Sequence, residues 1–420
     1  MSLLRTRRFL PLFLTQFLGA LNDNLLKNAL VMLVTYRIAA QARGDVQLLV
    51  TLAAALFILP FFLFSATAGQ LADKYDRARL TQLIKLAEII IMAMAAIGFM
   101  AESIWLLMFA LFAMGVHSTF FGPIKYALLP QHLREGELLP GNAYIEAGTF
   151  LAILLGTILG GLLVLQSGGV ALVSAMLLGV AALGYAASRF IPDAPAPEPS
   201  LIVNRHLWQE TWRIVGFARG DGIVFGCILG ISWFWLVGGT FLSQFAPFVK
   251  DTLHAEPEVV TLFLTMFSLG IGAGSLLCNR LLRGHICSTY VPWACASLSA
   301  FGIDLYFASQ YAAQGLDLMT LQQFLGGFAG RRIAFDLFMI AVSAGVYIVP
   351  LYALLQHRSE AAHRARIIAA NNIVNALFMV ASALATLLML SFSFTIAQVF
   401  LTISWLNGMV AFYVWKRLRF

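Results

Sequence analysis

The chain has 420 residues, of which 60% are hydrophobic and only 11% are charged. A soluble domain carries about 25% charged residues, so this chain cannot cover itself with a polar surface. Composition therefore excludes a soluble globular protein and indicates that most of the exterior faces lipid. A net charge of +7 would suggest a nucleic-acid partner in a soluble protein. Here the basic residues lie in short runs between apolar stretches, where they determine topology instead.

Apolar stretches divide the chain into candidate membrane spans. A helix needs about 20 mostly apolar residues to cross a bilayer. About twelve stretches meet that requirement: residues 9–35, 47–70, 80–100, 103–127, 141–165, 169–191, 221–249, 258–282, 289–309, 333–355, 366–392 and 395–415. The basic N-terminus leads directly into the first span, so we expect no cleavable signal peptide. The four cysteines lack the spacing of metal ligands, and we expect them to pack as small apolar side chains.

The longest polar stretch, PDAPAPEPS at 192–200, follows the sixth span. Proline prevents that helix from continuing. The Trp- and Arg-rich residues after it could form a helix that lies in the membrane interface. We therefore predict an N-terminal six-helix bundle at 1–191, a cytoplasmic linker at 192–220 and a C-terminal six-helix bundle at 221–420.

The distribution of Lys and Arg predicts the orientation. With the N-terminus in the cytoplasm, 21 basic residues lie on the cytoplasmic side, Lys85 among them, and five lie on the other side. Lys27 remains inside the first span, and together these account for all 27. Such a bias predicts that both termini are cytoplasmic.

The two halves of the sequence contain similar segments, which form an internal repeat. The tetrapeptide YALL begins at Tyr126 and again at Tyr352, each time followed by a Gln-His pair. Two polar positions that follow it also align: Asn142 and Glu146 with Asn371 and Asn375. Halves repeated in parallel are typical of the major facilitator architecture. We predict an all-α membrane protein with about twelve transmembrane helices in two pseudo-symmetric six-helix bundles.

The segment after the second span reads GQLADKYDRAR from Gly69. It resembles the major facilitator signature between helices two and three, in which a glycine precedes an aspartate and basic residues. An acid at a helix terminus can pair with arginines or with a helix dipole. We predict that Asp73 and Arg77 belong to a gate whose contacts form in one conformation and break in the other. Asp76 replaces the usual second glycine, and the alternative is a generic basic loop.

The first span contains Asp23 and Lys27 among asparagines that include Asn24. An ionised group near the bilayer centre costs about 2.5–3.5 kcal/mol on insertion scales, so it must face the protein interior or a wet cavity. One interpretation is a self-neutralising structural ion pair, since the two residues are one helical turn apart. The other is a site that binds a charged head group or couples to a cation.

Three further polar positions lie near helices four and five. Lys125, Asn142 and Glu146 could contact substrate, with Lys125 and Asn142 holding a phosphate. Alternatively, Lys125 and Glu146 could pair as a latch between helices. Asparagines on the eleventh span could contact ligand or act as polar glue between helices: Asn371, Asn372 and Asn375.

Together these segments resemble the bacterial lysophospholipid transporter family of the major facilitator superfamily. The matching stretches are QFLGALNDNLLKNAL (16–30), GQLADKYDRARL (69–80), FGPIKYALLPQHL (121–133), GNAYIEAGTFLAILLGTILGG (141–161) and VPLYALLQHRSE (349–360). The resemblance implies a transporter, not an enzyme, that flips lysophosphatidylethanolamine and lysophosphatidylglycerol across the bacterial inner membrane by alternating access. It implies movement toward the cytoplasm for reacylation, without a cofactor, a metal or a nucleic-acid partner. The family's intramembrane aspartate on helix one corresponds to Asp23.

The resemblance also implies functional coupling to an acyltransferase or acyl-ligase system. The segments LNDN (21–24) and KNAL (27–30) resemble those of relatives fused to such domains, yet no His is followed five residues later by Asp, the acid–base pair of those acyltransferases. Two other functions stay open. One is a proton- or sodium-coupled transporter of a small polar solute or drug, with Asp23 as the coupling carboxylate. The other is a non-transporting membrane module that recruits an acyltransferase.

Overall fold

The computed structural model describes residues 3–38, 46–311 and 318–417, which form fourteen α-helices. The first seven are α1 (Leu10–Leu33), α2 (Val46–Lys74), α3 (Arg77–Met100), α4 (Ile104–His132), α5 (Glu135–Leu163), α6 (Gly169–Ser188) and α7 (Leu207–Ala218). The others are α8 (Gly222–Pro247), α9 (Pro257–Leu282), α10 (Val291–Gln310), α11 (Leu321–Gly326), α12 (Phe328–Arg358), α13 (Arg364–Ser391) and α14 (Ile396–Arg417).

Each predicted span falls on one long helix. Eleven helices in the described ranges are long and apolar enough to cross a membrane. The first helix, α1, is not among them, although its 24 residues are sufficient in length. Its asparagines and its two charged residues lower the apolar content. The eleven helices together with α1 correspond to the twelve predicted spans.

Helices α4 and α5 are longer than predicted. The apolar spans predict that the fourth helix ends at residue 127 and that the fifth begins at residue 141. In the structure α4 continues through Pro130 to His132, and α5 begins at Glu135. Neighbouring groups can satisfy the backbone groups that a proline leaves unpaired in a membrane helix. Accordingly, Pro130 does not end α4 and Pro140 does not interrupt α5. Glu137 accepts a hydrogen bond from the Arg134 backbone N–H at 2.9 Å, which stabilises the start of α5.

The predicted interfacial helix of the linker corresponds to α7, which has 12 residues. Glu210 and Ile214 are buried one turn apart, and α7 packs against α2. Trp208 and Trp212 form an exposed pair at the same spacing, with 69% and 71% of their surface accessible. This helix is amphipathic, as an interfacial helix must be, and its location in the interface stays a prediction.

Contacts divide the chain into two compact units. The first unit comprises Met1–Gly141, Leu151–Asp221 and Gln356–Ile373, and in it α2 packs on α4, α3 on α4 and α6, and α1 on α6. The second unit comprises Asn142–Phe150, Gly222–Leu355 and Val374–Phe420, and in it α10 packs along α14 while α8 contacts α9 and α14. The predicted division around a linker at 192–220 stays a prediction.

Glycines of α5 permit close packing against α1, as small residues do between membrane helices. A Cβ atom on Gly156 would lie 2.6 Å from the Leu21 carbonyl oxygen, and one on Gly160 would lie 2.6 Å from that of Leu25. Both distances are shorter than van der Waals contact. Gly161, by contrast, has open space where its Cβ would be.

We expect Gly160→Ala to destabilise the protein and Gly161→Ala to leave stability unchanged or slightly higher. The first substitution forces α1 and α5 apart, with a cost of about 1–3 kcal/mol for overpacking. The second only improves helix propensity. Thermal unfolding of both purified variants in one detergent checks this. Equal midpoints for the two variants would contradict the packing described here.

Candidate functional site

Helix α1 presents Asp23 and Lys27 one turn apart, and both side chains are partly exposed. The Ser118 hydroxyl of α4 donates to the Asp23 carboxylate, whose two oxygens lie 2.9 and 3.1 Å away. Lys27 Nζ donates to Asn24 Oδ1 at 3.2 Å. Within the part of the chain that the structure describes, no salt bridge joins Asp23 to Lys27. The arrangement is therefore two separately held charges of opposite sign with access from outside the helix packing.

The neighbouring asparagines orient these groups. Asn24 Nδ2 donates to the Ala20 carbonyl oxygen at 2.8 Å, which leaves its amide oxygen for Lys27. Asn28 Nδ2 donates to Thr157 Oγ1 of α5 at 3.1 Å. Both amides are thus part of the packing around α1, and Asn24 also positions the Lys27 ammonium group.

A second set of polar side chains lies fully inside the first compact unit, and we call Asn22, Lys85, Glu88 and His117 the buried network. Glu88 Oε2 forms an ion pair with Lys85 Nζ and lies 3.2 Å from His117 Nε2. Glu88 Oε1 accepts from Asn22 Nδ2 at 2.9 Å, and the same amide lies 3.2 Å from the Leu177 carbonyl oxygen. One carboxylate therefore joins α1, α3 and α4, and Asn22 extends the contact to α6.

Small residues make room for the Lys85 side chain. A Cβ atom on Gly19 would lie 2.9 Å from Lys85 Nζ, and one on Gly184 would lie 3.1 Å from Lys85 Cε. The ammonium group also lies 5.6 Å from the centre of the Phe121 ring, within range of a cation–π interaction. A larger residue at either glycine would displace this lysine.

The position of Lys85 corrects the orientation count. The distribution of basic residues predicts a cytoplasmic Lys85, but this lysine is fully buried within α3 and paired with Glu88. Without it, 20 basic residues remain on the cytoplasmic side against five on the other, so the predicted orientation is unchanged. Two of the counted residues, Arg43 and Arg419, lie outside the described ranges.

Asp73 is fully buried at the end of α2 and has partners on two helices. Its Oδ1 lies 2.9 Å from Arg77 Nη2, and its Oδ2 lies 3.0 Å from Arg366 Nε. The backbone N–H groups of Ala365 and Arg366, in the first turn of α13, also donate to this carboxylate at 3.1 and 3.2 Å. A Cβ on Gly69 would lie 2.8 Å from Ala369 Cβ, so glycine permits this close approach.

Asp76, which replaces the usual second glycine of the signature, caps α3. Its side chain accepts a hydrogen bond from the Arg79 backbone N–H at 2.9 Å. Aspartate is among the preferred residues at this position because its oxygen satisfies an otherwise unpaired N–H group. The departure from the signature therefore has a local structural role.

The remaining predicted site residues are divided between the two units. Lys125 is half-buried in the first unit, with Nζ 4.6 Å from the centre of the Tyr126 ring. Asn142 and Glu146 are fully buried in the second unit. Whether these residues bind substrate or form a latch stays a prediction.

The asparagines of α13 are all buried. Asn375 Oδ1 accepts from Ser232 Oγ of α8 at 2.7 Å, which is an interhelical bond of the kind expected for polar glue. The Asn372 amide lies against α4, where a Cβ on Gly122 would come within 2.8 Å of it. Asn371 shows no hydrogen bond to either amide atom among the described residues. Ligand contact by these three residues stays a prediction.

Comparison with known sequences identifies related transporters. The sequence model of the Major Facilitator Superfamily matches residues 12–383. Lysophospholipid transporter LplT of Cronobacter sakazakii is 25% identical over 374 residues, which cover 84% of this chain and 81% of that protein. The LplT of Serratia proteamaculans is 24% identical over 367 residues, which cover 86% and 82%. The predicted resemblance to this family is confirmed.

Solved structures of transporters have a similar fold. The human organic anion transporter MFSD10 matches with a TM-score of 0.75 at 14% identity, covering 97% of this chain and 98% of that chain. The proton:xylose symporter XylE matches with a TM-score of 0.71 at 14% identity, covering 98% and 96%. At this identity the likeness concerns the fold alone, and it confirms the predicted all-α transporter fold.

Proposed function

The chain belongs to the Major Facilitator Superfamily, and from that premise we propose that it is a lysophospholipid transporter. It moves lysophosphatidylethanolamine and lysophosphatidylglycerol across the bacterial inner membrane by alternating access. The direction is toward the cytoplasmic side, where both termini lie and where an acyltransferase or acyl-ligase system reacylates the lipid. The observation that carries this proposal is the similarity to curated lysophospholipid transporters along more than four fifths of the chain.

The charges of α1 fit such a substrate. A lysophospholipid head group carries a phosphate, and ethanolamine adds an ammonium group, so a recognition site must offer both signs of charge. Asp23 and Lys27 are partly exposed, and no salt bridge joins the two side chains within the described residues. Asp23 contacts the ammonium group and Lys27 the phosphate, with Asn24 holding the lysine. Charge-assisted hydrogen bonds of this kind are stronger than neutral ones.

Further polar residues complete the proposed substrate contacts. Lys125 offers a second positive charge to the phosphate. The buried residues Asn142 and Glu146 contribute polar contacts in the second unit. Asparagines of α13 supply additional contacts: Asn371, Asn372 and Asn375.

Asp73 and Arg77 form the proposed gate together with the start of α13. The Asp73 carboxylate accepts from Arg77, from Arg366 and from two backbone N–H groups. In the proposed gate, these bonds are made in one conformation and broken in the other. A contact that exists in only one state biases the equilibrium between states. The gate therefore stabilises one conformation of the protein relative to the other.

Asp73→Asn is expected to slow transport several-fold while substrate affinity stays within about twofold, because the gate does not contact substrate. The amide is neutral and loses the charge-assisted bonds to Arg77 and Arg366. Flipping rate and lipid affinity, measured on the same purified variant, test this. Asp76→Asn is the matched control, since asparagine also caps helices. Equal loss of affinity and rate in Asp73→Asn, with normal expression, would argue against a gate.

A flipping assay tests the proposed function. Purified protein in liposomes should convert labelled lysophospholipid in the outer leaflet to a form that albumin cannot extract, and protein-free liposomes should not. Both lysophosphatidylethanolamine and lysophosphatidylglycerol are used as probes. Transport of a small polar solute with a proton or sodium ion, and not of the lipid, would favour the solute transporter. No transport at all would favour a module that recruits an acyltransferase.

A further inference from the structure

A cavity of about 570 Å³ lies in the second compact unit, between the end of α10, α11 and the start of α12. Small-molecule sites have volumes of about 300–1,000 Å³ and combine an apolar lining with a few polar groups. Here the aromatic rings of Phe324 and Phe328 contribute to the apolar part, and Tyr311, Gln323 and Arg332 supply polar groups. None of the residues proposed above as substrate contacts is among the described residues that line it. The cavity thus has the size and composition of a further ligand site.

The mouth of this cavity is bordered by side chains that face outward. Tyr311 and Phe328 both line the cavity, and 75% and 76% of their surface is accessible. Phe335, two turns after Phe328 on α12, is exposed as well. Exposed aromatic side chains at the end of a membrane span lie at the level of the lipid head groups. The orientation predicted from the basic residues puts this end on the non-cytoplasmic side, so lipid of the non-cytoplasmic leaflet can reach the mouth.

Arg332 is the one charged side chain among the described residues that line the cavity. Its Nε donates to Asp304 Oδ2 at 2.8 Å, and its Nη2 pairs with Asp304 Oδ1. Its Nη1 makes no hydrogen bond within the described part of the chain. The carboxylate therefore fixes one edge of the planar guanidinium group and leaves donors for a second acceptor. Such a fork matches the oxygens of a phosphate group.

Two acids lie beside this arginine. Asp304 is partly exposed, with 39% of its side-chain surface accessible. Asp336, one turn after Arg332 on α12, is fully buried and interacts with Asp304. The cluster of these three residues offers both signs of charge. A phosphate alone would meet the arginine but also the repulsion of the acids, whereas a head group that also carries an ammonium satisfies both signs.

Resting on the proposed function, we propose that this cavity is the site at which a zwitterionic lysophospholipid enters the protein from the non-cytoplasmic leaflet. Arg332 binds the phosphate, Asp304 binds the ammonium group of an ethanolamine head group, and Phe324 and Phe328 contact the start of the acyl chain. Binding here precedes the conformational change. It therefore determines how much lipid is needed for transport, and it leaves the maximal rate unchanged.

Flipping kinetics in phosphatidylcholine liposomes test the role of Arg332. In Arg332→Gln, the mole fraction of lysophosphatidylethanolamine that gives half-maximal flipping should rise about tenfold or more, because a charged hydrogen-bond donor to the phosphate is lost. The maximal rate should stay within about twofold of the wild type. Arg331→Gln is the matched control. Arg331 is the neighbouring residue and is exposed, but it does not line the cavity, so the same change of charge should leave both values unchanged.

A second variant fills the cavity without a change of charge. A Cβ atom on Gly327, which lines the cavity, would have only ordinary contacts, at 3.6 and 3.8 Å from two carbonyl oxygens. Gly327→Leu should therefore fold, and it should raise the half-maximal mole fraction by a factor similar to that of Arg332→Gln. In the control Gly326→Leu, the added Cβ lies in open space at a residue that does not line the cavity. Melting curves of both glycine variants verify that they are folded.

Binding measured in an Asp23→Ala background isolates this cavity, because that substitution weakens the proposed site on α1. Labelled lysophosphatidylethanolamine should still bind this variant saturably in nanodiscs, and adding Arg332→Gln should lower the affinity about tenfold. Lysophosphatidylglycerol lacks the ammonium group that contacts the partly exposed Asp304. It should bind the Asp23→Ala variant about two- to fivefold more weakly than lysophosphatidylethanolamine does.

Four results would overturn the proposal. They are an unchanged half-maximal mole fraction in Arg332→Gln or in Gly327→Leu, an equal rise in the two control variants, equal affinity of Asp23→Ala for the two lipids, and displacement of the label by diacyl phosphatidylethanolamine. The last result would identify a structural membrane lipid instead. In each case wild-type flipping persists and the proposed function stands. If the wild type neither binds nor flips lysophosphatidylethanolamine, the proposed function fails as well.

Discussion

Asp23→Ala is expected to abolish lysophospholipid flipping and to leave a folded protein. The substitution removes the carboxylate that would meet the head-group ammonium, and loss of one partner of a desolvated charge pair costs about 2–5 kcal/mol, or about 30-fold or more in affinity. The side chain is partly exposed and its structural bond is to Ser118, so folding should survive. The flipping assay and a melting curve on the same preparation check both parts. Ser118→Ala, which keeps the carboxylate, should lose much less activity.

The double substitution of Asp23 and Lys27 by alanine separates binding from structure. If the two residues were a structural ion pair, Asp23→Ala would strand Lys27 and reduce expression, and the double variant would regain full activity. The separate partners of the two side chains argue for a different result, a stable double variant that stays inactive. A fully active double variant would refute the assignment of Asp23 to the substrate site.

Glu88→Ala is expected to destabilise the protein by about 3–5 kcal/mol, because it leaves Lys85 buried without its counter-charge. The same change removes the acceptor for Asn22 and the partner of His117. Thermal unfolding in detergent, together with expression level, measures the loss. Glu258→Ala is the control, since that acid is exposed in the first turn of α9 and should change stability by no more than about 0.5 kcal/mol.

A double change to Lys85→Met and Glu88→Leu should recover much of the lost stability. Replacing a buried ion pair by apolar residues of similar volume is often neutral or stabilising, whereas breaking it is not. If Glu88→Ala unfolded near the wild-type temperature, the buried network would not be the ionic core described here. Comparison of the single and double variants distinguishes a stranded charge from a simple cavity.

The helices of this fold could be predicted because each span needs about 20 mostly apolar residues to cross the lipid bilayer. Long apolar stretches identified all the spanning helices, and the polar residues within α1 directed attention to Asp23 and Lys27. The signature after α2 identified Asp73 as an acid with arginine partners. Each of these predictions used residues that lie close together in the sequence, so a local sequence pattern was sufficient to make it.

The buried network was missed because its members lie on separate helices. The sequence LIKLAEII places Lys85 and Glu88 three residues apart inside an apolar stretch, and the rule that selected Asp23 would have selected this pair too. The basic loop before α3 instead predicts a cytoplasmic position for Lys85. The partners Asn22 and His117 depend on how α1 and α4 pack against α3, which no local pattern specifies. The contact of Asp73 with Arg366 is likewise determined by tertiary structure.

The first turn of α13 offers a direct readout of whether the proposed gate opens. The amides of Ala365 and Arg366 are held by a side chain almost 300 residues earlier in the sequence. When Asp73 withdraws, these two N–H groups lose their acceptor and must bond to water, and only then can they exchange their hydrogen for deuterium. Their exchange rate therefore measures the fraction of time that the gate spends open. Substrate that shifts the conformational equilibrium should change the labelling of these two amides before any lipid has been moved.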